Sequence, residues 1–247
     1  MTDDTGITRS MLSEQVKGRL LRAILDGTYP PGARIVETRV AKEFGTSQAP
    51  VREALRDLEA LGVVESAPFK GARVRQPSTE ELLEAFELCA ILEGRGAALA
   101  MENMTEASFT ALDELTEAMR EAADEGDPYR AAMADAEFHR LIMWHSGNAT
   151  LERVWRSLEP FLRTYATIVL PDVNRRAVAE RHVPITNAMR LRDPVLIEEA
   201  FQDYFEKAAS TLAEGWPERR NRNGVDEQLE TDALPRSSGA IKITVKP

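Results

Sequence analysis

Apolar residues recur at helical spacing along the first sixty positions. Val16, Leu20, Ile24 and Leu25 share one face of a helix that Ser13 can cap, predicted to run over 13–25. The stretch DGTYPPGARI, 26–35, is dense in turn residues and ends it. A short helix over about 38–44 stops at Gly45. The next segment, TSQAPVREALRDLEALGVVE, carries Val51, Leu55, Leu58 and Leu61 in one stripe. Thr46 or Ser47 can cap this third helix, and Pro50 sits in its first turn, where a missing N–H costs little. Two β-branched stretches, 63–65 and 72–75, flank a glycine-containing turn and predict a small hairpin. Three short helices followed by a hairpin predict a winged helix-turn-helix over 11–76, behind a flexible arm at 1–10.

Beyond the linker RQPSTEE at 75–81 there is no strand pattern. Helices are predicted over 79–103, 106–125, 128–146, 149–169, 173–191 and 194–214. Ser78, Thr105 and Asp127 are N-cap types, and Pro128 and Pro194 each follow an aspartate, as a first-turn proline does. The expected fold is mainly α: the winged helix-turn-helix, then an all-α antiparallel helical bundle over 77–216. Residues 217–247 are polar and read as a flexible C-terminal tail.

Composition narrows the function. The chain is 43% hydrophobic and 29% charged. It has no apolar run near the ~18 residues of a membrane span and no apolar signal core at its N-terminus. Its single cysteine, Cys89, excludes an internal disulfide framework and fits a reducing cytoplasm. A net charge of −10 argues against nonspecific coating of nucleic acid, and so against an architectural DNA protein. The charge is uneven, however. Residues 1–76 hold 12 Lys and Arg against 10 Asp and Glu, whereas the remainder holds 19 against 31. A docked DNA-binding module is compatible with that split.

The third helix has the features of a reading helix. Ser47, Gln48 and Ala49 at its start are small or amide-bearing, and Arg52 lies on its exposed flank. Gln can pair with adenine at two points, and Arg can fork onto guanine, each good pair giving ~1–3 kcal/mol of discrimination. Arg39 can reach the groove edge or a phosphate. Lys70 and Gly71 form a wing tip that can approach the minor groove. On an ordinary amphipathic helix such a face is only solvated. The order of elements around it sets the DNA-reading alternative level with that one.

LLRAILDGTYPPGARIVETRVAKEFGTSQAPVREALRDLEALGVVESAPFKGARV resembles the DNA-binding domain of GntR-type transcriptional regulators, through its G-x-Y-x-P-G turn, PVREAL core and wing glycine. The resemblance covers about 12–76 and implies that Arg39, Arg52 and Gly71 contact DNA. Many members carry Arg-Thr where this chain has Gln48 and Ala49, which implies a different operator at that point.

In the bundle, Asp135 and His139 are four residues apart and share a helix face. His182, one or two helices later, could close a site with them inside the bundle. Carboxylate and imidazole together suit zinc, nickel, manganese or iron, although an Asp–His pair at this spacing is more often a local hydrogen bond. DAEFHRLIMWHSGN and ERHVPITNAMRLRDP resemble the two motifs of the FCD effector domain, which follows this DNA-binding domain in the FadR subfamily. The resemblance implies a divalent metal on Asp135, His139 and His182 that anchors a small carboxylate effector. This chain departs from the family at two positions. Tyr204 stands where a further histidine is usual, leaving three ligands, and Cys89 stands where an arginine is common. Arg95, Arg140 and Arg163 are then the candidates to hold an anionic effector, with Asn148, Tyr165 and Tyr204 as polar neighbours. His145 reads as structural or exposed, and Trp144, Trp155 and Phe161 as core or pocket wall.

The expectation is a cytoplasmic, non-enzymatic regulator. It pairs as a homodimer on a palindromic operator and acts as a repressor released by a small organic acid. The rival is a metal-dependent enzyme on the bundle with an accessory DNA-binding module. No second acid–base pair and no phosphate-cradling loop accompany the three ligands to support that rival.

Overall fold

The computed structural model describes residues 4–67, 71–158, 164, 170 and 173–215. The N-terminal domain contains α1 (Asp4–Leu25), β1 (Arg34–Ile35), α2 (Glu37–Phe44), α3 (Gln48–Ala60), β2 (Val64–Ala67) and β3 (Gly71–Val74). The second part contains α4 (Thr79–Ala100), α5 (Glu106–Glu125), α6 (Pro128–His145), α7 (Ala149–Ser157), α8 (Arg175–Glu180), α9 (His182–Leu191) and α10 (Pro194–Gly215). None of the described helices is long and apolar enough to cross a membrane.

The N-terminal domain follows its apolar pattern. Val16, Leu20, Ile24, Val51, Leu55 and Leu58 are all buried and form one core. Two details differ from the sequence expectation. The helix expected to start at Ser13 begins at Asp4, so residues 4–10 are helical and not a loose arm. Ser13 is buried inside that helix and does not cap it. Extending a formed helix adds a hydrogen bond per residue, while the propensity cost of Thr and Ser is only tenths of a kcal/mol. The second difference is β1, hidden in the turn-rich stretch. Arg34 and Ile35 pair with Arg73 and Ala72, giving an antiparallel sheet in the order β1-β3-β2.

In the helical domain, α4 lies at the centre, packed on α10, α6 and α7. Gly96 permits this closeness: a Cβ there would stand 2.6 Å from the Met143 sulfur. Ser78, Thr105, Asp127, Asn148 and Asn174 all cap helices through their side chains. The helix expected over 173–191 is split at Arg181 into α8 and α9. The cause is Pro184, which cannot donate a helical hydrogen bond and crowds the carbonyl four residues earlier. Of the helix expected over 149–169, α7 is the described part. The tail 217–247 lies outside the described residues.

The two domains touch at the start of α6. Asp127 caps α6 by accepting from the N–H groups of Tyr129 and Arg130, both at 3.0 Å. Its carboxylate also takes Arg22 Nη1 of α1 at 3.2 and 3.3 Å, and that guanidinium stacks 4.4 Å from the Tyr129 ring centre. Partial burial pushes the Asp127 carboxyl pKa up. The Arg130 N–H and the Arg22 guanidinium outweigh it and hold the pKa below the usual range. A lowered pKa means that the junction stabilises the folded state above ~pH 4 and loses that contribution as pH falls through the folded value. Asp127→Asn keeps a capping oxygen but not the charge. We expect it to lower Tm by a few degrees at pH 7, for a loss of about 1 kcal/mol. The gap between variant and wild type should narrow steadily as pH falls below ~4. A gap that stayed constant there in thermal unfolding would contradict the ion-pair account.

Candidate functional site

The exposed edge of the N-terminal domain is built by the start of α3. Ser47 occupies the N-cap position, yet its side chain makes no capping hydrogen bond. Gln48 and Arg39 are exposed, and Ala49 is half-buried. Arg52 is held in a small polar cluster: its Nε donates to Glu37 Oε2 at 2.6 Å and Nη2 donates to Gln48 Oε1 at 3.2 Å. More than half of the Arg52 side chain is open to solvent, so this pairing is weak and exchangeable. Gly71 begins β3 with φ of 79°, a backbone shape that favours glycine. Lys70 lies outside the described residues.

The second centre is buried in the helical domain. Asp135 and His139 project from one face of α6, as their spacing requires, and α9 brings His182 against them. One ligand atom from each of these three residues lies within 4.8 Å of the others. The surroundings orient both imidazoles. His139 Nδ1 is 2.6 Å from Glu93 Oε2, a buried carboxylate on α4 whose other oxygen accepts the Trp155 indole N–H at 2.7 Å. His182 Nδ1 is 3.2 Å from the carbonyl oxygens of Val178 and Ala179, at the end of α8. Carboxylates and carbonyls only accept, so each Nδ1 carries the proton, and each Nε2 presents a lone pair inward. The last carbonyls of α8, which also accept the Arg181 N–H, thus fix the tautomer of His182.

Three acceptors then converge: Asp135 Oδ1, His139 Nε2 and His182 Nε2. His182 Nε2 is 3.2 Å from Asp135 Oδ1 but makes no hydrogen bond, and it is fully buried. The Tyr204 hydroxyl reaches in from α10, 3.2 Å from His139 Nε2 and 3.3 Å from Asp135 Oδ1. Its one proton serves only one of them. Thr164 Oγ1 donates to the outer oxygen of Asp135 at 2.6 Å. Burial by itself would raise the Asp135 pKa. The imidazoles of His182 and His139 facing it and the Thr164 hydroxyl outweigh this and hold it well below the carboxylate range. A buried cluster rich in acceptors and short of protons suits a cation. The residues present therefore fit the divalent metal that the FCD resemblance implies, with the Glu93–His139 pair as the outer-shell support usual for such ligands.

Comparison with known proteins agrees with both halves. Residues 12–74 match the family described as bacterial regulatory proteins of the gntR family, and residues 84–207 match the FCD domain. The chain belongs to the GntR family. It is a DNA-binding transcriptional regulator with a FadR-like domain arrangement. It is 37% identical over 194 residues to a probable D-xylose utilization operon transcriptional repressor of Paenarthrobacter nicotinovorans, spanning 78% of this chain and 85% of the relative. The Glc operon transcriptional activator of Escherichia coli is 26% identical over 231 residues, covering 83% and 90% of the two chains. In fold it is similar to E. coli McbR/YncC, with a TM-score of 0.66 at 24% identity, over 82% of this chain and 97% of that one.

The other expected effector residues of this GntR-family chain are scattered. Arg95 is exposed on α4, off the face that carries Glu93. Arg140 is exposed and paired with Glu137. Asn148 caps α7 by accepting the Leu151 N–H at 3.0 Å. Arg163, Tyr165 and Phe161 lie outside the described residues. Only Tyr204, of the described effector candidates, reaches the centre. Trp155 is buried as expected, but Trp144 is 59% exposed and lines no core. His145 is half-buried, and burial lowers its pKa.

Two residues join the site without having been singled out. Glu93 was legible: it is a carboxylate in the stripe Leu82, Phe86, Cys89, Glu93, Ala97 and Ala100 on the buried face of α4. Arg175 left no such signal. It lines a cavity of about 10 Å³, near the size of one water, together with Asp135, and its Nε is buried without a hydrogen-bond partner.

Proposed function

We propose that this regulator is a cytoplasmic repressor. It binds a palindromic operator as a homodimer and releases it when a small carboxylate occupies the Asp135–His139–His182 centre. The observation that carries this reading is the acceptor-rich buried cluster on the domain joined to the reading helix. Asp135, His139 and His182 would hold the divalent ion, and Tyr204 would flank it. When bound, such an ion supplies a Lewis-acid anchor for a chelating carboxylate. Arg175, with a spare donor beside Asp135, would take the role expected of Arg95 and pair with the effector's anionic group.

Ser47, Gln48, Ala49 and Arg52 would face base edges. Arg39, Lys70 and Gly71 would set the position on phosphates and the minor groove. Pairing of two chains would cover Leu88 and Ile91, an exposed apolar pair three residues apart on α4. Release requires only that the effector favour one relative placement of the domains, and α6 touches both through Asp127 and Asp135.

Selection of duplexes from a random library by the full chain tests the DNA half. The expected product is an inverted repeat with half-sites about one helical turn apart, bound by two chains. Small hydroxy and keto acids are then added to the complex, and a fall in affinity with one of them is the expected response. A single non-palindromic site bound by one chain would overturn the dimeric reading.

A further inference from the structure

A second, larger cavity lies between the two domains, with a volume of about 790 Å³. Small-molecule sites span ~300–1,000 Å³ and favour domain boundaries with apolar walls and a few polar groups. Leu21 of α1 and Leu61, just past α3, line one side. Met133 of α6 and Trp155 of α7 line the other. Met133 is 42% exposed and stands outside the buried core, so among the described residues this long apolar side chain is only partly covered. Gly18 of α1 also lines the cavity and keeps the helix surface low there.

Three cations, Lys17 of α1, Arg140 of α6 and Arg156 of α7, edge the cavity beside Glu14 and Glu137. Each cation rests on a carboxylate three or four residues away: Lys17 on Glu14, Arg140 on Glu137 and Arg156 on Glu152. Exposed pairs of this kind contribute ~0–1 kcal/mol, so a ligand anion can replace the carboxylate at small cost.

We propose that this cleft binds an amphipathic organic anion, separately from the Asp135–His139–His182 centre. The ligand class is a flat apolar body with one carboxylate or sulfonate. The body lies between Leu21 and Leu61 on one side and Met133 and Trp155 on the other, and the anionic group meets Arg140 and Arg156. Such a ligand touches both domains, so its affinity depends on their relative placement and it biases DNA binding. It also bears on Trp155, whose indole holds Glu93, which in turn holds His139. The two sites share that relay of side chains.

Anilinonaphthalene sulfonate, an apolar two-ring body with one sulfonate, is the probe. Titrated into the full chain and followed by its fluorescence, it is expected to saturate at one molecule per chain. Met133→Glu and Arg156→Glu, both at exposed side chains, are each expected to weaken it about tenfold or more. Leu191→Glu, exposed at the end of α9, is expected to bind as the wild type does. Equal affinity in Met133→Glu and Arg156→Glu would overturn the proposal, as would equal loss in Leu191→Glu. Binding that weakens as protein concentration rises would assign the cleft to a second copy of the chain, and would overturn it as well.

Discussion

Arg52→Ala is expected to abolish specific operator binding. One bidentate guanine contact gives ~1–3 kcal/mol of discrimination, which is about 5- to 150-fold in affinity per half-site. A two-fold dimer loses the contact twice, which brings specific binding down toward the nonspecific level. In the free protein Arg52 is not poised in isolation, because Glu37 and Gln48 hold its guanidinium. Reading a base therefore requires exchange of Glu37 for the base edge. The pair is exposed, so the exchange costs ~0–1 kcal/mol, much less than the contact returns. Glu37→Gln is accordingly expected to tighten operator binding by no more than about fivefold per half-site, about 25-fold for the dimer, by removing the competitor. Fluorescence anisotropy with the selected operator and a scrambled duplex, at two salt concentrations, separates the two cases. Arg52→Ala should lower the ratio between duplexes, not merely the salt-dependent affinity common to both. An Arg52→Ala chain with an unchanged ratio would mean that α3 does not read bases through this residue.

The second large effect is expected at the buried centre. Purified protein should carry about one divalent ion per chain, and Asp135→Asn should carry none. Asn keeps the shape and can still accept from Thr164, so the fold is retained while the anionic ligand is removed. Tyr204→His supplies a fourth ligand, the third imidazole, at the position where the phenol now touches both His139 and Asp135. It is expected to tighten the ion by at least about tenfold in competition with a chelator. Glu93→Gln removes the outer-shell charge behind His139, and 10- to 100-fold weakening is the usual size of such a change. Elemental analysis beside circular dichroism reads all four proteins. No ion in the wild type and none gained by Tyr204→His would mean that the cluster works without metal. An effector would then be held by Arg175, Tyr204 and the imidazoles alone.

The sequence by itself determined the elements, and with them the reading helix. Caps, glycines and prolines act within a few residues, so Ser78, Thr105, Asp127 and Gly45 mark boundaries wherever the chain goes. A 3.6-residue period likewise determines which side of a helix is buried. That made Val51, Leu55 and Leu58 legible as core and left Gln48 and Arg52 outward. The same local rule put Asp135 and His139 side by side. Local rules did miss some features even along the chain. The break at Arg181 was masked by an unbroken apolar pattern, and β1 exists only because β3 passes beside it.

Only tertiary structure decided the rest. A helical period says which side is buried but not against what. The centre is therefore completed by Glu93 from α4, Trp155 from α7, His182 from α9 and Tyr204 from α10, which meet only when the helices pack. For the same reason Arg95 and Asn148, plausible by motif distance, lie away from the centre, while Arg175 lies beside it. The junction of Arg22 with Asp127 and the cleft between α1 and α6 depend on residues more than a hundred positions apart, and no local period constrains such a pair.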